Sequence, residues 1–322
     1  MELKKFVVAA SGKMRQPAFD ILNEKTTLLS WQQGGRVPQE QFDEWLSKAD
    51  ALYSAGNIKI TEELLAKAPK LKVIAQASVG YDNIDLEACT ARKIRVGNTP
   101  DVLNDAVADL AQGLIIDSAR HLIKGSEHVK SGRWGQRKGL GFGTDLKGKV
   151  LGIVGLGNIG AEIAARAKAS KMQVIYHNRH QRSDDAELGV KYVSFDELLT
   201  TADFVVIAVT LNASTKGLFN AEVLKKMKKT AALINVARGA IVDTEALYEA
   251  LKNGELAYAA LDVVEPEPLP ETHKLLTLDN ITITPHIAAA TNETRDAMAV
   301  LTAENILAGL EDKNLPAQVN KL

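Results

Sequence analysis

What this chain lacks narrows its class before any motif is read. It has a single cysteine, Cys89, in 322 residues, so an internal disulfide framework is impossible and a reducing compartment is expected. Neither charge sign is in excess: Lys and Arg number 39, Asp and Glu 40, for a formal net charge of -1. The broad positive field that nucleic acid or an anionic membrane surface requires is missing, so neither is expected as a partner. No stretch approaches the roughly 20 apolar residues of a transmembrane helix. The early run "FVVAA" is too short for the apolar part of a signal peptide and reads as a first strand, which points to the cytoplasm. Internal repeats and low-complexity segments are absent, and no metal site is expected. What remains is an ordinary globular composition, 46% hydrophobic and 25% charged, at a length that suits about two domains.

Strand-like and helix-like runs alternate along the first hundred residues. "KKFVVAA" precedes "PQEQFDEWLSKA" with helical spacing, then "ALYSAG", then "TEELLAKAPK" with Thr61 as its capping residue. "LKVIAQAS", "IDLEACTARK" and "IRVGNT" continue the pattern, which implies βαβ units and a parallel sheet. One long helix is expected over about 103–130. A second series begins at "KGKVLGIVGLGNIG" and runs through "KMQVIYH", "DFVVIAV", "AALINV", "LAYAALDV" and "ITITP", short apolar runs of strands buried on both faces. "TDLKGK", just before it, has the turn-rich composition of a hinge. The last helix, about 291–310, follows the final strand without a sheet of its own and could fold back on the first domain.

"VLGIVGLGNIG" carries Gly155, Gly157 and Gly160 in the spacing G-x-G-x-x-G, directly after a strand and before the Ala-rich helix "AEIAARAKAS". Gly155 permits a tight turn, Gly157 a close approach of backbone to pyrophosphate, and Gly160 close packing of helix on strand. A dinucleotide is expected here. Arg238 in "LINVARGAIVD", Glu267 in "AALDVVEPEPLP" and His286 in "ITITPHIAAAT" each follow a later strand. Ligands of open α/β sheets bind beyond the carboxyl ends of strands, so all three are expected at one crevice.

In that order, "SVGYDNID", "NTPDVLNDAVAD", "GIVGLGNIG", "INVARGAIVD", "LDVVEPEPLP" and "TPHIAAAT" make the chain resemble the D-isomer-specific 2-hydroxyacid dehydrogenases, in particular the glyoxylate/hydroxypyruvate/2-ketogluconate reductase branch. The resemblance implies an α/β fold of two doubly wound parallel-sheet domains, with a Rossmann cofactor domain at 101–287 inserted into a flavodoxin-like substrate domain of 1–100 and 288–322. It also implies reduction of a small 2-oxoacid by NADPH or NADH, and a homodimer. His286 would be the general acid, since imidazole ordinarily titrates near neutrality. Glu267 would orient it, while Glu265 would be a solvated loop acid. Arg238 would clamp the substrate carboxylate or carbonyl with its fork of donors. The backbone N–H groups of Val79 and Gly80, beside Ser78, would hold the carboxylate. Cofactor contacts would come from Leu156, Asn158 and Ile159 with the three glycines, and from Thr210, Thr215, Val236, Ala237, Asp262 and Ala288. Asp262 also suits a second part, that of a strand-end acid capping a turn.

Two local departures bear on substrate and assembly. The segment after "SGRW", "GQRKGLGFGTDL", is rich in glycine and basic residues where a second tryptophan and bulky side chains are expected, which bears on what a partner subunit adds to the pocket. Ser54, Ala55 and Gly56 are expected to face the pocket and leave room for a longer substrate. At the end of the second Rossmann strand, "VIYHNRHQRS" offers Asn178, Arg179 and Arg182 where an NAD-specific site usually has an acid, with Asp184 and Asp185 falling in the next loop. NADP(H) is therefore expected to be preferred over NAD(H), with Arg179 carrying the 2′-phosphate and Arg182 and Asn178 assisting. Two alternatives stay open: an NADH-dependent phosphoglycerate-type dehydrogenase, disfavoured by the absence of a C-terminal regulatory extension, and a nucleotide-sensing corepressor on the same scaffold.

Overall fold

Strands whose every residue is buried, such as Phe204–Ile207 and Ala232–Asn235, can only sit inside a sheet covered on both faces. The computed structural model, which describes residues 3–33, 37–135 and 140–322, contains two such sheets. The chain divides into two compact units, Met1–Leu103 with Thr291–Leu322, and Asn104–Ala290. "TDLKGK" lies inside the second unit and marks no boundary.

In the first unit the elements run β1 (Val7–Ala10), α1 (Gln16–Lys25), β2 (Thr27–Leu29), α2 (Gln39–Lys48), β3 (Ala51–Ser54), α3 (Glu62–Ala66), β4 (Val73–Gln76), α4 (Leu86–Ala91) and β5 (Arg95–Gly97). All pairs are parallel, in the order β2-β1-β3-β4-β5, the flavodoxin-like arrangement. Thr61 caps α3 as expected, its side chain accepting from Leu64 N–H at 3.5 Å. The α1–β2 segment is not legible in the alternation, because β2 is a three-residue edge strand with no buried residue.

The second unit holds α5 (Asn104–Arg120), α6 (Leu122–Lys130), β6 (Val150–Val154), α7 (Asn158–Ala169), β7 (Gln173–His177), α8 (Asp185–Leu188), β8 (Lys191–Tyr192), α9 (Phe195–Thr201), β9 (Phe204–Ile207), α10 (Ala221–Lys226), β10 (Ala232–Asn235), α11 (Thr244–Lys252), β11 (Tyr258–Leu261) and β12 (Ile281–Ile283). Its parallel sheet has the order β12-β11-β10-β9-β6-β7-β8, a Rossmann order with one further strand. Alternation along each strand gives each face its own core: Val205, Leu233 and Ala259 on one side, Val206, Ile234 and Ala260 on the other.

The single helix expected over 103–130 is two helices. His121 takes a left-handed backbone, φ 55°, and ends α5. The buried Asp117 carboxylate accepts from Ile123 N–H at 2.8 Å, capping α6, and from Thr282 Oγ1 at 2.7 Å on β12. The residue pattern continues through the break, so periodicity alone reads straight across it.

The last helix, α12 (Asn292–Leu310), belongs to the first unit. Ala299, Ala303, Ile306 and Leu310 form one helical stripe packed with Val8, Ala10, Val73 and Ala75 of the first sheet. Among the described residues no helix is long and apolar enough to cross a membrane.

Candidate active site

The glycine loop joins β6 to α7. Gly155 has φ +100°, and a Cβ there would stand 2.7 Å from the Ala208 carbonyl. A Cβ on Gly160 would meet the Gly155 carbonyl oxygen at 2.5 Å. Gly157, by contrast, has open space above it and caps α7, whose first residues are Asn158 and Ile159. Tight turn, close packing and open approach thus fall on three separate glycines, and α7 begins directly after the open one. Beside the loop lies a cavity of about 650 Å³ lined by Gly155, Leu156, Gly157, Asn178, Arg179, Thr210 and Thr215 among others. Its size and its loop suit the phosphate and adenosine part of a dinucleotide. Thr215 Oγ1 donates to Thr210 O at 2.7 Å and holds the cavity's far wall, to which Asn212, Ser214 and Phe195 also contribute.

The basic cluster after β7 divides its labour differently from the sequence expectation. Asn178 does not reach outward: its Oδ1 accepts from Leu156 N–H at 2.7 Å and its Nδ2 donates to Leu156 O at 3.2 Å. Arg182 is also committed. Nε and Nη2 donate to the two Asp184 oxygens at 2.7 and 2.6 Å, and Nη1 donates to Leu156 O at 3.2 Å. The bond from Arg182 draws the Asp184 carboxyl below its ordinary range. Asp184 lies in the loop as expected and pairs there with Arg182, while Asp185 opens α8. His177 is tied through Nδ1 to Val193 O at 3.0 Å and stacks on Tyr192. Arg179 is exposed at the cavity and makes no hydrogen bond or ion pair among the described residues.

Arg238, Glu267 and His286 follow β10, β11 and β12, three adjacent strands. Asn235, buried at the end of β10, donates to Arg238 O at 2.9 Å and accepts from Ala237 N–H at 3.0 Å, bracing the turn Val236–Arg238. Gly239 packs directly on the Val264 backbone, which leaves no room for any side chain there and binds the β10 turn to the β11 loop. His286 Nδ1–H donates to Glu267 Oε1 at 2.6 Å, which fixes the tautomer and leaves Nε2 for other work. His286 itself has a left-handed backbone, φ 54°.

Asp262 explains how that conformation is held. The buried carboxylate accepts from Thr284 Oγ1 at 2.6 Å, Ile287 N–H at 2.9 Å and Ala288 N–H at 2.8 Å, and the Asp262 carbonyl accepts from His286 N–H at 2.9 Å. Asp262 thus caps this turn, taking the Ile287 and Ala288 N–H groups.

In the first unit the loop after β4 carries Ser78, Val79 and Gly80, all half-buried. Ser78 Oγ donates to Gly80 O at 2.7 Å, and Thr99 N–H to Ser78 O at 3.1 Å. Ser54 corrects an expectation: it is wholly buried, with Oγ on Gln76 Oε1 at 3.1 Å, and cannot line a pocket. The pleat of β3 turns it inward, leaving Ala55 and Gly56 at the strand end. Of the glycine- and base-rich stretch 135–146, residues 136–139 lie outside the described residues.

A family model described as "D-isomer specific 2-hydroxyacid dehydrogenase, NAD binding domain" matches residues 112–288. The chain is 43% identical over 328 aligned positions to a glyoxylate reductase of Pyrococcus furiosus, covering all of this chain and 96% of that one. Among solved structures, a protein from Thermus thermophilus superposes with a TM-score of 0.91 at 41% identity, covering 98% of this chain and 100% of that one. An NADPH-dependent glyoxylate/hydroxypyruvate reductase of Sinorhizobium meliloti, in complex with NADP and malonate, has a TM-score of 0.86 at 32% identity, covering 98% and 96%. The glycine loop, the strand-end acid, base and arginine, and these full-length likenesses lead to one placement: the chain belongs to the D-isomer-specific 2-hydroxyacid dehydrogenases and is an NAD(P)-dependent oxidoreductase.

Proposed function

We propose that this enzyme reduces small 2-oxoacids, glyoxylate and hydroxypyruvate first, to D-2-hydroxyacids, and prefers NADPH to NADH. The observation that carries the reading is the 2.6 Å pair between His286 Nδ1 and Glu267, set on a loop that Asp262 holds in a left-handed turn. The names of the Pyrococcus and Sinorhizobium relatives support the substrate class.

When bound, the reduced nicotinamide supplies a hydride to the carbonyl carbon. His286 gives the balancing proton to the carbonyl oxygen from Nε2, the nitrogen that Glu267 does not occupy. Glu267 keeps the ring from turning, so the proton sits at one position. Arg238 offers a planar, permanently charged fork to the carboxylate or carbonyl oxygen. The N–H groups of Val79 and Gly80 take the carboxylate.

The cofactor preference now rests on Arg179 alone. Asn178 and Arg182 serve the glycine loop, while Arg179 stands at the cavity without an acid beside it. The 2-ketogluconate reading keeps Ala55 and Gly56 as its support and loses Ser54. A homodimer is supported by exposed apolar side chains: of the eight exposed large hydrophobic residues among the described residues, Leu122, Ile123, Val129, Trp134 and Phe142 fall within one 21-residue stretch of the chain. The one cysteine, buried and unpaired, accords with a cytoplasmic enzyme.

Initial rates with glyoxylate, hydroxypyruvate, 2-ketogluconate and 3-phosphohydroxypyruvate, each with NADPH and NADH, test the reading. Turnover of the first two with a higher kcat/KM for NADPH is expected. Preference for the phosphorylated acid with NADH would assign a phosphoglycerate-type dehydrogenase, and no turnover at all a nucleotide sensor.

A further inference from the structure

Gln76 ends β4 at 1% exposure, and burying an amide there is tolerable only if its polar atoms are used. They all are. Nε2 lies 2.6 Å from Gly80 O, 2.7 Å from Asn83 Oδ1 and 3.0 Å from Ser78 Oγ. Oε1 accepts from Asn83 Nδ2 at 2.9 Å and Ser54 Oγ at 3.1 Å. Asn83 in turn donates to Ile58 O at 2.7 Å, tying this pair to the loop after β3.

The consequence lies in the peptides of the next loop. Ser78 O is taken by Thr99 N–H at 3.1 Å, Val79 O by Asn98 Nδ2 at 2.9 Å, and Gly80 O by Gln76 and the Ser78 hydroxyl. A trans peptide is planar, so pinning a carbonyl aims the N–H of the following residue the opposite way. Three pinned carbonyls therefore aim three successive N–H groups, those of Val79, Gly80 and Tyr81. None of the three meets an acceptor among the described residues. Half-buried backbone donors left in this state call for an acceptor from outside the chain.

We propose that Gln76, paired with Asn83, is the positioning residue of a three-peptide carboxylate cradle whose third donor is the Tyr81 N–H. The inference rests on the reading, given above, that Val79 and Gly80 hold the substrate carboxylate. Gln76 touches no substrate; it sets the direction of the donors that do. Its two N–H donors are shared among three acceptors, so replacing them with methyl groups leaves Gly80 O held by the Ser78 hydroxyl alone and loosens the last peptide of the cradle. A glutamate would be worse, placing an acceptor against Gly80 O and Asn83 Oδ1.

The test uses the full chain as Gln76→Leu and Gln76→Glu, with glyoxylate and with glyoxal, in which an uncharged formyl group replaces the carboxylate. For Gln76→Leu the KM for glyoxylate should rise about tenfold or more with kcat changed less than about threefold, and Gln76→Glu should exceed it. Kinetics with glyoxal and the KM for NADPH should stay as in wild type. A merely structural role would lower the melting temperature and the active fraction for both aldehydes alike, and that outcome overturns the proposal. If Gln76→Leu does not fold, Ser78→Ala, which removes only one of the two bonds to Gly80 O, decides through a smaller rise confined to glyoxylate. Wild-type enzyme that fails to distinguish glyoxylate from glyoxal would sink the underlying carboxylate reading. Wild-type discrimination that survives intact in folded Gln76→Leu would sink this inference alone.

Discussion

At the scale of single residues, one left-handed backbone sits where chemistry is proposed. His286 is not glycine, yet its φ is 54°, a conformation that costs on the order of 1–3 kcal/mol unless the surroundings enforce it. Four hydrogen bonds accepted by Asp262 do the enforcing. His286→Ala is expected to lower kcat by roughly two to four orders of magnitude while leaving the KM for NADPH near wild type. Steady-state kinetics check this, and near-full turnover would remove His286 from the mechanism. The basic turn after β7 makes a sharper, divided prediction. Arg179→Ala should raise the KM for NADPH about tenfold or more and leave that for NADH nearly unchanged, the scale of one lost charged hydrogen bond. Asn178→Ala should instead weaken both cofactors together, because the group it releases is the Leu156 backbone of the shared phosphate loop. Equal loss of both cofactors in Arg179→Ala would deny the 2′-phosphate role.

At the scale of elements, each unit secures its first central strand by the same device. Asp50, just before β3, accepts from Val7 N–H at 2.9 Å at the start of β1, and Asp203, just before β9, accepts from Val150 N–H at 2.9 Å at the start of β6. Asp203 also pairs with Lys228 at 3.0 Å. Burial alone would raise the Asp203 carboxyl's pKa, but the Val150 N–H and the Lys228 ammonium outweigh it and hold it below the usual carboxylate range. A carboxyl whose folded pKa is lowered stabilises the fold above its unfolded value, near 4, and loses that contribution as acid takes the pH down through the folded value. Asp203→Ala should cost about 1–3 kcal/mol at pH 7, since it strands a strand-initiating N–H. Urea unfolding at pH 7 and in steps below about pH 4 should show the gap to wild type closing in acid. A gap that widens there would contradict the sign.

At the scale of the whole molecule, the insertion of one doubly wound unit into another explains why α12 has no sheet of its own in sequence: its partners are β3, β4 and β5, more than 190 residues earlier. The same scale holds the assembly prediction. Val129 on α6 is 48% exposed and Trp134 just after it 78%, apolar area that a second copy of the chain would cover. Sedimentation should give a dimer for wild type and a monomer for Val129→Glu combined with Trp134→Glu. A wild-type monomer at micromolar concentration would remove the dimer reading.

Much of this protein was decided locally and could be read from the residues in order. The strand–helix alternation with its short continuous apolar runs, the 155–157–160 glycine spacing and the Thr61 cap are relations between near neighbours, settled by local sterics and hydrogen bonding. The strand-end positions of Arg238, Glu267 and His286 follow from the same alternation. What only the tertiary structure decided is which partner each polar side chain took. Asn178 and Arg182 had a phosphate as one prospective partner and found Leu156, 22 and 26 residues away, because β6 and β7 lie side by side in the sheet. The helix break at His121 depends on Asp117 meeting Thr282 across 165 residues, and the inward turn of Ser54 depends on Gln76 in the neighbouring strand. A buried polar atom bonds with whatever the strand order brings within 3 Å, and strand order is a property of the packed chain, not of any window of its sequence.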